Sequence, residues 1–163
     1  MLLERAYKYL ERITPLKHDC GLLCDKSCCK GEGEIWLLPG EENLFCGREG
    51  FEIKSLDGEY NLKCTVSCDD NRSIRPFCCR IFPCFPIVNK HGGKLSVRLI
   101  TDPRGTYFCP LARGEMRCTR DFERAVRKAV RLLCLEEKYF SFFLAQGEML
   151  EEILRLREKL IRE

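Results

Sequence analysis

Cys20-Gly21-Leu22-Leu23-Cys24-Asp25-Lys26-Ser27-Cys28-Cys29 places four thiols in ten residues, with gaps of three, three and no residues. Thiolate is a soft ligand that suits zinc, copper(I) and iron–sulfur centres, and short spacings let one loop wrap an ion at metal–sulfur distances of about 2.3 Å. The vicinal pair adds a constraint. Adjacent side chains on an extended chain point to opposite faces, so Cys28 and Cys29 fit two metals, or different irons of a cluster, better than one tetrahedral ion. A multinuclear site, or one of the pair left without metal, is expected.

The wider composition agrees with a cysteine-built scaffold. The chain holds 13 cysteines in 163 residues, and a share of about 8% marks a special framework, either secreted disulfides or thiolate metal sites. Met1-Leu2-Leu3-Glu4-Arg5-Ala6-Tyr7-Lys8 carries charge throughout, with no uninterrupted apolar stretch and no small-residue cleavage site. It does not read as a secretory leader. A chain of this length can bury a core without disulfides, and the odd count would strand one thiol. A reducing, cytoplasmic setting with metal-bound thiolates is expected. No apolar run reaches membrane-spanning length, so no membrane partner is expected. Lys and Arg total 28 against 25 for Asp and Glu, a balance too even to argue by itself for nucleic acid, which is not the expected partner.

Outward from the box, Leu2 to Ile13 predicts an amphipathic helix with Leu3, Tyr7, Leu10 and Ile13 on one face, ended by Thr14-Pro15. Ile35 to Leu38 predicts a short buried strand, and Pro39-Gly40-Glu41-Glu42 a turn opening one helical turn. Asp57-Gly58 between Phe51–Leu56 and Tyr60–Cys64 is a strong hairpin signal. A second hairpin is expected across His91-Gly92-Gly93, with a half-exposed last strand over 95–99. Asp102-Pro103-Arg104-Gly105 predicts a turn. Phe122 to Leu133 keeps a helical period, Tyr139 to Leu144 is apolar enough for core, and a last amphipathic helix is expected after Gly147. The expected class is α+β: one domain over 1–163, a small cysteine-rich metal-binding core over about 18–112, and a helical part over about 119–163. Short strands, hairpins and loops form its middle, packed by an N-terminal helix and C-terminal helices.

A second group of cysteines contains Cys64, Cys68, Cys78, Cys79 and Cys84, with Cys109 further on. Around it runs Arg75-Pro76-Phe77-Cys78-Cys79-Arg80-Ile81-Phe82-Pro83. An N-terminal box ending in Cys-Cys, followed by Arg-Pro-x-x-Cys-Arg-x-Phe-Pro, resembles the YkgJ-type cysteine-cluster proteins over roughly residues 20–110. That family is described as a zinc- or iron-chelating domain and is named for a CxxCxxCC pattern. The first box here has three residues in each gap where the name has two. The resemblance implies metal ligands at Cys20, Cys24, Cys28, Cys29, Cys68 and Cys79, together with Cys64 and Cys109. Cys79, directly before Arg80, matches the motif, and Cys78 occupies a variable position. Cys46, Cys84, Cys118 and Cys134 fall outside the pattern, and Cys134, beside Leu133 and Leu135, reads as packing.

Arg75 and Arg80 bracket the motif. They are expected to offset the negative charge of clustered thiolates around the metal, with binding of a small anionic substrate as the sharper alternative. Arg104 is a candidate for the same patch. Pro76, Pro83 and Pro86 would stiffen the loop. Only His18 and His91 exist, which argues against a hydrolase built on several imidazoles. Glu41 and Glu42 could line the site, although a carboxylate at a helix start is the simpler account. Trp36, Phe77 and Phe82 are expected to form the hydrophobic shell of a metal loop. The expected function is metal binding by clustered thiolates, with zinc or iron as cofactor and an iron–sulfur cluster as one form. The alternatives are an iron-dependent redox enzyme or electron-transfer protein, and a zinc-stabilised nucleic-acid module. A protein partner and a substrate stay open.

Overall fold

The computed structural model describes residues 1–30, 33–65 and 74–162. The fold is α+β. Five α-helices are present among the described residues: α1 (Leu2–Leu10), α2 (Ser27–Lys30), α3 (Phe77–Ile81), α4 (Arg120–Leu133) and α5 (Glu137–Arg162). The strands are β1 (Glu34–Trp36), β2 (Phe51–Leu56), β3 (Glu59–Cys64), β4 (Cys84–His91) and β5 (Lys94–Thr101). They make two antiparallel sheets, one of order β1-β3-β2 and one β4-β5 hairpin. Single 3-10 turns cover Cys20–Leu23, Glu41–Leu44 and Pro103–Tyr107. Among the described residues, no helix is long and apolar enough to cross a membrane.

Both hairpins turn where the sequence places them. Asp57 and Gly58 have φ of 52° and 83°, and Gly92 and Gly93 have 56° and 77°. These left-handed pairs match the twist of the flanking strands. The β4-β5 hairpin is longer than the expected segment and pairs Cys84 with Thr101 at its far end.

The main core joins both chain ends. Leu3, Ala6 and Leu10 of α1, Phe77 and Ile81 of α3, Phe85 and Val88 of β4, and Phe122, Val126 and Leu133 of α4 bury together with Phe143 and Leu150 of α5. Thr119 caps α4 by accepting from the Phe122 N–H at 3.3 Å. The Thr119 N–H in turn donates to the Pro15 carbonyl at 2.8 Å, which ties the segment before the first box to the start of α4. A smaller apolar cluster of Leu16, Cys109, Leu111 and Ala112 packs with Cys20, Phe82 and Cys118. It lies directly beside the first cysteine box.

Two helix limits differ from expectation. α1 stops at Leu10 rather than Ile13, because the Glu11 N–H bonds the Lys8 carbonyl and tightens the last turn. Ile13 still packs on the core. α5 is one continuous helix of 26 residues that runs through Gly147. An interior glycine costs about 1 kcal/mol against alanine. It is kept where α5 presses on β4: a Cβ at 147 would sit 3.2 Å from Ile87 Cδ1.

Candidate metal centre

The first box is shaped by its non-cysteine residues. Asp19 accepts from the Gly21 N–H at 2.9 Å and starts the 3-10 turn that carries Cys20. Asp25 and Lys26 then adopt left-handed φ of 48° and 55°, which reverses the chain between Cys24 and α2. Lys26 folds back so closely that a Cβ on Gly21 would lie 2.6 Å from its Cγ. The Lys26 N–H donates to the Gly21 carbonyl at 3.0 Å. The Ser27 hydroxyl donates to the Cys24 carbonyl at 2.5 Å.

Cys28 and Cys29 sit on a four-residue helix, not on extended chain. Their sulfurs are 3.9 Å apart. A tetrahedral ion with metal–sulfur bonds of about 2.3 Å separates its sulfurs by about 3.8 Å, so the pair could share one ion. The expectation of a multinuclear site, or of one of the pair left without metal, loses its premise of extended backbone here.

The thiols gather in two neighbourhoods. Cys20, Cys24, Cys28 and Cys109 form the first. Burial pushes the Cys20 thiol up to about 11, and nearby Cys28, Asp19, Cys109 and Cys24 push the same way. Burial also raises Cys109, whereas hydrogen bonds from the Ala112 and Leu111 N–H groups hold it down. Two main-chain donors on one sulfur favour its thiolate. The second neighbourhood is a cavity of about 290 Å³ whose wall includes Cys28, Cys29, Cys64, Cys78, Cys79 and Cys84. Cys28 belongs to both. Cys64 arrives as the last residue of β3, opposite Phe51, and Cys79 arrives on α3. Cys68 lies outside the described residues. Among the described residues, no group of three or more His, Cys, Asp or Glu side chains is arranged to hold a metal ion.

The other cysteines divide as follows. Cys78 lines the cavity. Its thiol is pushed well up by burial and then by Glu41 and Cys79. Cys134 is buried in the main core at 6% exposure, and burial pushes its thiol up to about 12, in keeping with packing. Cys46 is exposed. Cys84 and Cys118 lie 3.9 Å apart, sulfur to sulfur. His18 and His91 are both exposed.

The arginines part company. Arg75 and Arg104 line the cavity. Arg104 is fixed by Asp102, which is 4% exposed and receives its Nη2 at 2.7 Å and its Nε at 3.0 Å. Its guanidinium also covers the Trp36 ring at 3.6 Å. Arg80 is not on the cavity wall. It is buried, donates from Nε to the Arg75 carbonyl at 2.8 Å, and lies 4.2 Å from the centre of the Tyr7 ring. Arg80 therefore ties α1 to α3, and it shapes the site through the backbone of Arg75.

Glu41 was expected as a carboxylate at a helix start, and it is more than that. It is fully buried. It accepts from the Leu38 N–H at 2.8 Å, from the Phe77 N–H at 2.6 Å and from the Tyr7 hydroxyl. One carboxylate thus joins α1, the 3-10 turn at Glu41–Leu44, and the first residue of α3. Burial pushes its carboxyl up, while the Tyr7, Leu38 and Phe77 donors and the Arg80 charge hold it down.

The turn over Pro103–Tyr107 closes one wall of the cavity. Arg157 of α5 pins it by donating to the Pro103 carbonyl at 2.7 Å and to the Thr106 hydroxyl at 2.9 Å. Gly105 touches the wall itself: a Cβ there would meet Phe82 Cζ at 2.6 Å and Ala112 Cβ at 3.0 Å. Phe82 stacks on Phe108 with centroids 5.9 Å apart. Gly105→Ala must therefore displace a cavity side chain, and a loss of about 1–3 kcal/mol in urea unfolding is expected. An unchanged midpoint would mean that the Phe82 ring swings away freely.

No family model, curated protein or solved structure matches this chain.

Proposed function

We propose that this protein binds zinc or iron through clustered cysteine thiolates, as its resemblance to the YkgJ-type cysteine-cluster proteins implies. One observation carries most of the weight. Proposed ligand cysteines from α2, the end of β3 and α3 share one cavity, although they are up to 51 positions apart in the chain. Buried free thiols serving only as small hydrophobes need not collect in this way. The donor chemistry also fits. Sulfur dominates, both histidines are exposed, and soft thiolates select zinc, copper(I) or iron–sulfur centres over hard cations.

The ligands proposed are Cys20, Cys24, Cys28, Cys29, Cys64, Cys68, Cys79 and Cys109. Arg75 and Arg104 would offset thiolate charge at the cavity wall. Bound metal would contribute to folding, because it would cross-link segments distant in the chain. A second form of the same reading is a redox-active iron–sulfur protein. A cavity of about 290 Å³ offers more room than a lone zinc ion needs.

Metal and acid-labile sulfide, measured with the visible spectrum on protein purified without oxygen, test the proposal. Zinc without colour or sulfide supports a binding or structural module. Iron with sulfide and a brown colour supports redox chemistry, and a reduction potential is then the next measurement. Protein that carries neither metal, and takes up neither on reconstitution, overturns it.

A further inference from the structure

We propose that Cys84 and Cys118 form a reversible disulfide that leaves the metal ligands untouched. The two are 34 positions apart, yet their sulfurs stand 3.9 Å from each other. Cys84 opens β4 and Cys118 directly precedes Thr119, the N-cap of α4. Both therefore hang from well-packed elements, and the chain segments that carry them are already adjacent. Neither cysteine belongs to the ligand set proposed above. The inference rests on that reading only in leaving these two thiols unligated.

Access differs between the partners. Cys84 is 9% exposed overall, but it faces the cavity, through which a small oxidant can reach it. Contact with Cys118 holds the Cys84 thiol down, and Cys118 is pushed up by the same contact and by burial. Cys84 is the partner on the cavity wall, so it is the thiol that a small oxidant meets first. Glu123, one turn into α4, faces both sulfurs and is ion-paired with Arg127 at 3.1 Å.

The oxidant is a low-molecular-weight disulfide of the glutathione class. The Cys84 thiolate attacks one of its sulfurs, breaking that disulfide bond and releasing one small thiolate, which takes the Cys84 proton. The Cys118 sulfur then attacks Cys84 Sγ in the mixed disulfide and expels the second small thiol, which takes the Cys118 proton. Two protein thiols are oxidised to one disulfide, and one small disulfide is reduced to two small thiols.

The sequence makes the product easy to read. Trypsin releases Cys84 in the peptide 81–90 and Cys118 in the peptide 118–120, and neither peptide has another cysteine. Metal-loaded full-length protein would be equilibrated in buffers of graded oxidised and reduced glutathione, its remaining thiols alkylated, and the digest analysed by mass. The expected result is a linked pair of these two peptides, reversed by reduced glutathione, with metal content unchanged. In Cys118→Ser the link should be replaced by glutathione on Cys84, whereas Cys134→Ser should keep the link. Absence of the linked pair across the whole series overturns the proposal, as does metal release in step with its formation. Protein that holds no metal but forms the link would sink the metal reading and leave this one standing.

Discussion

Cys79→Ser is expected to lose its metal, and Cys134→Ser is expected to keep it. Removal of a direct ligand should lower metal affinity by more than about 100-fold, since loss of groups that merely support ligands already costs 10- to 100-fold. The fold should weaken with it, because the proposed thiolate–metal bonds would tie α3 to the box around α2. Cys134 is buried among apolar side chains of the main core. A serine there hides a hydroxyl and should cost about 1–3 kcal/mol, with metal content unchanged. Measuring metal and the urea midpoint on the same samples separates the two effects. Equal metal loss in both variants would show that ligands and packing thiols have been divided wrongly.

Glu41→Ala is expected to be the most damaging substitution outside the cysteines, at about 3–5 kcal/mol. It strips the acceptor from two buried N–H groups and the Tyr7 hydroxyl, and it removes an acid whose charge acts on buried Arg80. Tyr7→Phe, which loses only one donor, should cost about 1 kcal/mol. The pH dependence has a definite sign. Burial raises the Glu41 carboxyl, so the native state holds this proton more firmly than the unfolded chain does. The stability that this adds is complete below the usual glutamate range and is lost as pH rises through the raised value. The advantage of wild type over Glu41→Gln should therefore be largest in acid and shrink as pH rises. An advantage that grows with pH, or a Glu41→Ala cost below about 1 kcal/mol, would show that the carboxylate is not the junction described here.

The same acid shows why part of the site escaped sequence reading. Pro39-Gly40-Glu41-Glu42 announces a turn, and a carboxylate at a helix start is a reasonable local account. Its actual partners, Tyr7 and Phe77, lie 34 and 36 positions away. No periodicity or spacing encodes such a meeting. Cys84 and Cys118 are a second case, since each is isolated in sequence and only the packing of β4 beside the start of α4 pairs them. The separation of Arg80 from Arg75 is a third. Five residues apart in one motif, they point to different surroundings, because α3 turns Arg80 toward Tyr7 while Arg75 stays outside the helix at the cavity.

The sequence by itself determined what is set by near neighbours. Left-handed pairs at Asp57-Gly58 and Gly92-Gly93 dictate their hairpins. Apolar spacing dictates α1 and α4, and cysteine spacing dictates a thiol-rich loop over 20–29. Each depends on steric and hydrogen-bonding preferences that act within a few residues. Tertiary structure alone decided whatever depends on distant segments meeting. It placed Cys109 beside the first box, carried Cys64 and Cys79 to the cavity of Cys28 and Cys29, and ran α5 unbroken through Gly147 because β4 lies against it. Burial of one shared core drives those meetings, and which side chains it brings together depends on the whole packed chain rather than on any local stretch.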